Sequence, residues 1–239
     1  SKGIRSEGAF SCGRVQTPTL KLIYDRQLEI KNFKPEPFFE LESKFNVETG
    51  QYIGKYKGKY TEKNELQNLL EHHQISPGKK HKGKIVSVVK EEKKKKPPKL
   101  HSLSSLQSLA NKKFKYSPSK VLKVVQELYD SPLKLVSYPR TDTQYITDSE
   151  FRYLKQNLMS YQKVNGTVFE PYSLEPDKRY VNNEKVQEHY AIIPTKTIPT
   201  PETLNSLTKE QKDIYFEIIQ SAISIFHEPY VYEETKIIT

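Results

Sequence analysis

The period of apolar and polar positions changes several times along the chain, and each change marks an expected element. Thr17-Pro18 offers a capping hydroxyl and a proline at the first helical position, with Leu20, Ile23 and Tyr24 following on one face; a helix is expected over about 18–30. Phe39, Leu41, Phe45 and Val47 then alternate with Glu40, Glu42, Lys44 and Asn46, the period of a strand with one wet face. A second strand is expected within Tyr52–Tyr60, a short helix after Thr61 with Leu66, Leu69 and Leu70 inward, and a third strand over Ile85–Val89. The stretch from Glu91 to Lys99, with lysines at 93–96 and Pro97-Pro98 behind them, predicts an irregular connector and a boundary near residue 97.

Beyond it the period becomes helical. Leu106, Leu109, Ala110 and Phe114 share a face, and Ser117-Pro118 starts a second helix with Val121, Val125, Leu128 and Tyr129 inward. An extended piece, Lys134–Ser137, follows, so this pair has the outline of a helix-turn-helix with a strand or wing behind it. Thr147-Asp148-Ser149-Glu150 is a capping box for a third helix. Thr208-Lys209-Glu210-Gln211 opens a fourth, with Ile214, Tyr215, Ile218, Ala222 and Ile225 on one stripe and an end before Pro229. Tyr230–Thr239 is expected to be a strand. The fold class is therefore α+β, in three parts: a helical piece (1–32), a β-rich module (33–97 with 229–239) whose strands pair across an insertion, and that insertion, a winged-helix-like domain (98–228).

Composition narrows the function. A net charge of +10 and a pI near 9.3 favour a polyanionic partner, since each phosphate neutralised by Lys or Arg releases counterions. An aromatic content of 11% with 16 Tyr among 239 residues argues for a packed fold. No apolar run approaches the roughly 20 residues of a spanning helix, and no membrane role is expected. The single cysteine, Cys12, rules out an intramolecular disulfide and a cysteine-rich zinc site, and fits a reducing compartment. His72 and His73 are adjacent and face apart on a helix, so no metal site is expected in this sequence. The chain opens on Ser1 close to a dense motif and reads as a segment of a longer protein.

The candidate chemistry lies in Ser137-Tyr138-Pro139-Arg140-Thr141-Asp142. Pro139 biases Tyr138 away from helical geometry, and in an extended piece alternate side chains share a face, so Tyr138, Arg140 and Asp142 point the same way. A phenol can attack a phosphodiester while a guanidinium holds the phosphate oxygens and the charge that develops on them. Taken alone, the triplet is unspecific, and such a triplet in a basic protein is far more often packing plus a surface charge.

Four blocks in order resemble the type IA DNA topoisomerases, in particular the topoisomerase III branch. Ser11-Cys12-Gly13-Arg14-Val15-Gln16-Thr17-Pro18 is similar to that family's Ser-x-Gly-Arg-Val-Gln-Thr-Pro, and Leu103-Ser104-Ser105-Leu106-Gln107-Ser108-Leu109-Ala110-Asn111 to its Leu-Thr-Ser-Leu-Gln-x-x-Ala-Asn. Tyr138-Pro139-Arg140-Thr141-Asp142-Thr143 differs from the family's block only in its final Thr. His189-Tyr190-Ala191-Ile192-Ile193-Pro194-Thr195 matches His-x-Ala-Ile-x-Pro-Thr. The resemblance implies an ATP-independent enzyme that cuts one DNA strand through a 5′-phosphotyrosyl link on Tyr138, passes a strand and reseals. Arg140 would hold the scissile phosphate and His189 would serve that phosphate or the proton. Arg14, Gln16, Thr17, Gln107, Asp142 and Thr143 would contact DNA, with Asp142 orienting Arg140. The family's acidic Mg²⁺-binding domain has no counterpart here, so Mg²⁺ is expected of an intact enzyme and no cofactor of this segment. Implied partners are single-stranded or underwound DNA, with room for a helicase, around a monomer in the nucleoid-associated cytoplasm. A non-catalytic single-strand-binding module whose Tyr138 stacks on a base is the rival; a tyrosine recombinase would need several spaced Arg and His around a Tyr near the C-terminus, an order that is not evident.

Overall fold

The computed structural model describes residues 13–239. Two compact units divide the chain: one runs to Val88 and takes in Lys236–Thr239, the other is Val89–Thr235.

In the first unit, α1 (Gln16–Asn32) starts two residues earlier than the Thr17-Pro18 signal suggests. Thr19 Oγ1 donates to the Val15 carbonyl at 2.8 Å, and Val15 is the N-cap without a side-chain bond of its own. The expected apolar stripe is present but uncovered, and α1 buries no residue; Leu20, Ile23 and Tyr24 are more than half exposed. β1 (Glu42–Val47) and β2 (Gly50–Lys55) form an antiparallel hairpin in the register Glu42↔Lys55 to Val47↔Gly50. Alternation places Phe39, Leu41 and Phe45 inward, and Phe45 stacks on Tyr52 with centroids 5.0 Å apart. α2 (Lys63–His72) turns Leu66, Leu69 and Leu70 inward as expected, with Leu70 buried.

β3 (Ser87–Lys95) corrects the expected connector: the lysine run is its second half, not an irregular segment. Its partner is β4 (Tyr230–Ile238), the strand that returns after the insertion. Val86 donates to the Ile238 carbonyl at 2.7 Å and Lys90 pairs with Glu233 at 2.9 Å, so the two strands run antiparallel. Carboxylates of β4 facing lysines of β3 make the like-charge run tolerable in a strand.

In the second unit α3 (Leu103–Phe114) begins at the Ser102 capping box, and α4 (Pro118–Tyr129) at Ser117, whose hydroxyl accepts from Lys120 N–H. The turn between them is tight: Lys115 sits in the left-handed region at φ 61°, and Asn111 Nδ2 donates to the Tyr116 carbonyl. Thr147 starts α5 (Asp148–Gln156) as read from the sequence. Two helices were not anticipated: α6 (Leu158–Asn165), ended by Gly166 at φ 71°, and α7 (Pro201–Ser206), although Thr200-Pro201 offers the same cap and proline as Thr17-Pro18. α8 (Lys209–Ser224) carries the predicted capping box and stripe and packs on α4 and α6. One continuous core gathers Leu106, Val125 and Leu128 with Leu154, Ile192 and Ile218, each with no exposed surface. Burying such a side chain is worth about 1.5–3 kcal/mol. The α+β class expected from the sequence is the one observed.

Several polar side chains are buried in this unit, and one of them is a carboxylate. Glu217 on α8 is buried, receives Lys113 Nζ at 2.5 Å and lies 3.9 Å from His101 Nε2. Burial lowers the His101 imidazole below its ordinary value; Glu217 opposes the shift and Lys113 adds to it. The folded chain therefore binds this proton less readily than the unfolded chain. The contribution to stability is full above pH 6.5 and is lost as pH falls below it. Urea midpoints measured across this range should fall more steeply for the parent chain than for His101→Gln; parallel profiles would contradict the assignment.

Candidate active site

Tyr138 follows α4 in an extended segment whose backbone is held by a second segment far along the chain. Leu135 accepts from Thr195 N–H and Ser137 N–H donates to the Ile193 carbonyl, with a single bridge at Val136↔Pro194. Ser137 reinforces the contact: its hydroxyl donates to the Ala191 carbonyl and accepts from Ile193 N–H, each at 3.0 Å. Behind the second segment, Tyr153 of α5 and Tyr161 of α6 donate to the Pro194 and Thr195 carbonyls. Burial pushes both phenols upward, which keeps them as neutral donors.

This pairing puts the Tyr138 and His189 rings 4.1 Å apart, centroid to centroid, at 33°. Tyr129, at the end of α4, meets Tyr138 edge-on at 5.6 Å. Tyr138 is half-buried, while His189 and Arg140 are exposed. Arg140, Asp142, Thr143, Lys185, Glu188 and His189 line a common cavity of about 370 Å³. Among the described residues no ion pair joins Asp142 to Arg140, so the expected orienting contact is absent. Arg140 is exposed, lines the cavity and has no carboxylate within 4.0 Å among the described residues, a suitable place for an anionic group. Thr143 is tied into the loop instead, its hydroxyl donating to the Lys185 carbonyl at 3.2 Å and accepting from Tyr145 N–H.

The other sequence candidates lie elsewhere. Gln107 spends its amide on the Pro118 carbonyl at 3.0 Å, joining α3 to the start of α4. Arg14, Gln16 and Thr17 belong to the first unit, exposed at the start of α1. There Gln16 packs so closely on Gly13 that a Cβ at 13 would stand 3.3 Å from Gln16 Oε1. Ser11 and Cys12 of the same motif lie outside the described residues. Sequence reasoning missed Lys185, Gln187 and Glu188, which line the cavity just ahead of His189, and gave Tyr129 to the core although it is 37% exposed. The polar run preceding His189 was the available signal. No group of three or more His, Cys, Asp or Glu among the described residues is placed to hold a metal ion, and none of the described helices is long and apolar enough to cross a membrane.

Comparison with known proteins decides what these motifs belong to. A family described as DNA topoisomerase matches residues 1–239. The chain belongs to the DNA topoisomerase family. Similar relatives are the DNA topoisomerase 3 of Bacillus licheniformis, 34% identical over 239 residues, and that of Staphylococcus epidermidis, 35% identical over 234. Each alignment covers 95% of this chain and 31% of the relative, so the chain spans under a third of the length of these family members. The full-length topoisomerase I of Thermotoga maritima has a similar structure, with a TM-score of 0.64 at 25% identity, covering 97% of this chain and 36% of that one. The type IA, topoisomerase III-like resemblance drawn from the four ordered blocks stands.

The Ser137 bonds are the link that a single substitution tests. Ser137→Ala leaves a buried carbonyl and a buried N–H without their side-chain partner, which should cost about 1–3 kcal/mol. A urea midpoint equal to that of the parent chain would show that the clamp carries no such weight.

Proposed function

We propose that this chain is the strand-cleaving segment of an ATP-independent type IA DNA topoisomerase. Tyr138 Oη attacks a backbone phosphorus and becomes esterified to the 5′-phosphate, the bond to O3′ breaks, and the phenol's proton leaves as O3′ gains one. Reversal of the same exchange reseals the strand without a nucleotide, because the phosphotyrosyl ester conserves the phosphodiester linkage. Arg140 holds the phosphate oxygens and favours the charged transition state, and His189 serves the phosphate or the proton. The observation that carries this reading is the 4.1 Å ring contact of Tyr138 with His189 beside a cavity that His189 and Arg140 line together.

Arg14, Gln16, Thr17, Asp142 and Thr143 are assigned to the single strand, and Gln107 to positioning the helix pair. In domain terms, 98–228 carries the nucleophile, 33–97 with 229–239 forms a β-rich arch, and 1–32 belongs to a helical domain along the strand path. Mg²⁺ belongs to the intact enzyme. The donors described here do not fit such an ion, and no step above passes through it. Single-stranded or underwound DNA is the substrate, relaxation of negative supercoils or decatenation the outcome, a helicase a fitting partner and a monomer the working form. By itself the segment should bind a single strand and leave supercoils untouched.

The test is Tyr138→Phe in the full-length gene product. Denaturant-trapped protein–DNA adducts should disappear while single-strand affinity stays within about twofold, since only one hydroxyl is lost. Adducts that persist in this variant would remove Tyr138 from the mechanism and favour a segment that only binds DNA.

A further inference from the structure

Beside the cavity, three residues from separate parts of the second unit converge on one oxygen. Lys99 Nζ donates to Tyr145 Oη at 3.1 Å and Lys185 Nζ donates to the same atom at 3.3 Å. Both ammonium groups also lie against the ring, 4.9 and 4.8 Å from its centroid. Among the described residues neither has a carboxylate within 4.0 Å. Two like charges are thus held close together by a neutral phenol, an arrangement that repels itself until an anion arrives.

The backbone beneath the cluster is fixed. Pro97, two residues before Lys99, receives Tyr180 Oη at 2.9 Å and Arg179 Nε at 3.3 Å on its carbonyl. The carbonyl of Tyr145 accepts from Ala191 N–H, two residues after His189, and its N–H donates to the Thr143 hydroxyl. Thr143 in turn donates to the Lys185 carbonyl, and Lys185 lines the same cavity as Arg140 and His189. Lys185 therefore joins Lys99 and Tyr145 to the wall of the candidate active site. Arg140 can hold one phosphate there, and a nucleic-acid strand brings further phosphates at regular spacing.

We propose that Lys99, Tyr145 and Lys185 form a second phosphate-binding site, which grips a phosphodiester of the same DNA strand next to the one held at Arg140 and so sets the strand's register over Tyr138. The proposal rests on the reading that a DNA strand occupies the cavity. Tyr145 supplies a hydroxyl donor to the phosphate once the ammonium groups turn to its oxygens. In the free protein the hydrogen bonds from Lys99 and then Lys185 hold the Tyr145 phenol below its ordinary value. A bound phosphate draws those cations away and adds negative charge, so the phenol should titrate at higher pH in the complex.

The experiment is fluorescence anisotropy of a labelled oligothymidine dodecamer with this chain across a salt series. Parent, Lys99→Gln/Lys185→Gln, Arg140→Ala and, as a control, Lys163→Gln on α6, which is exposed and does not line the cavity, would be compared. The double variant should bind about tenfold more weakly and show a log–log salt slope smaller by about 0.7, the loss of one neutralised phosphate on a single strand. The control should match the parent. As a second readout, the ultraviolet titration difference between the parent and Tyr145→Phe should move to higher pH when the dodecamer is bound. A double variant with the parent's slope and affinity, while Arg140→Ala binds more weakly, overturns the second site and leaves the DNA reading intact. A parent chain that does not bind the dodecamer overturns both.

Discussion

Ser137 makes three hydrogen bonds to a segment more than fifty residues further along, through its N–H and both roles of its hydroxyl, and the candidate site depends on them. They hold the stretch that carries Tyr138 against the stretch that follows His189, two pieces joined otherwise by one bridge, Val136↔Pro194, and the bonds from Thr195 to Leu135 and Lys134, and not by a long ladder. A short extended pairing of this kind has little cooperative support of its own. The surrounding core supplies it: Val136 on one side and Ile192 and Ile193 on the other are almost fully buried, and two phenols from α5 and α6 cap the carbonyls behind them. Rings placed on such a frame have few alternative positions, which suits a nucleophile whose reaction is sensitive to small displacements.

Electrostatics then divide the labour around the cavity. Charges on the β3–β4 ribbon largely neutralise one another, and Lys113 is occupied with the buried Glu217. Arg140 and the Lys99–Lys185 pair have no such partners among the described residues; Arg140 and Lys185 line the cavity, and Lys99 meets Lys185 at Tyr145. A net charge of +10 by itself would attract a polyanion to any face. What distinguishes Arg140, Lys99 and Lys185 is that they gather at and beside one cavity.

Elements with local signals were legible in the sequence. The serine and threonine caps at 117, 147 and 208 appear where the side chains called for them, because a cap involves only residues two or three apart. Features that rest on distant partners were not. The lysines at 93–95 belong to a strand because β4 arrives with carboxylates some 140 residues later, at Glu233 and Glu234. Tyr129 fits the apolar stripe of α4 but lies at its end, where the helix has run past the core, and so it is partly exposed against Tyr138. The ordered motifs pointed to Tyr138, Arg140 and His189, yet no spacing in the chain could reveal a 4.1 Å ring contact or the meeting of Lys99, Tyr145 and Lys185.

The central claim is that Tyr138, among several tyrosines near the cavity, is the atom donor in strand cleavage. Trapping the covalent complex of the full-length gene product, digesting it with trypsin and nuclease, and sequencing the modified peptide by mass spectrometry tests this directly. The account predicts a nucleotide 5′-phosphate on Tyr138 within the peptide Leu135–Arg140. A nucleotide on Tyr129 or Tyr145 instead, with Leu135–Arg140 recovered unmodified, would contradict it.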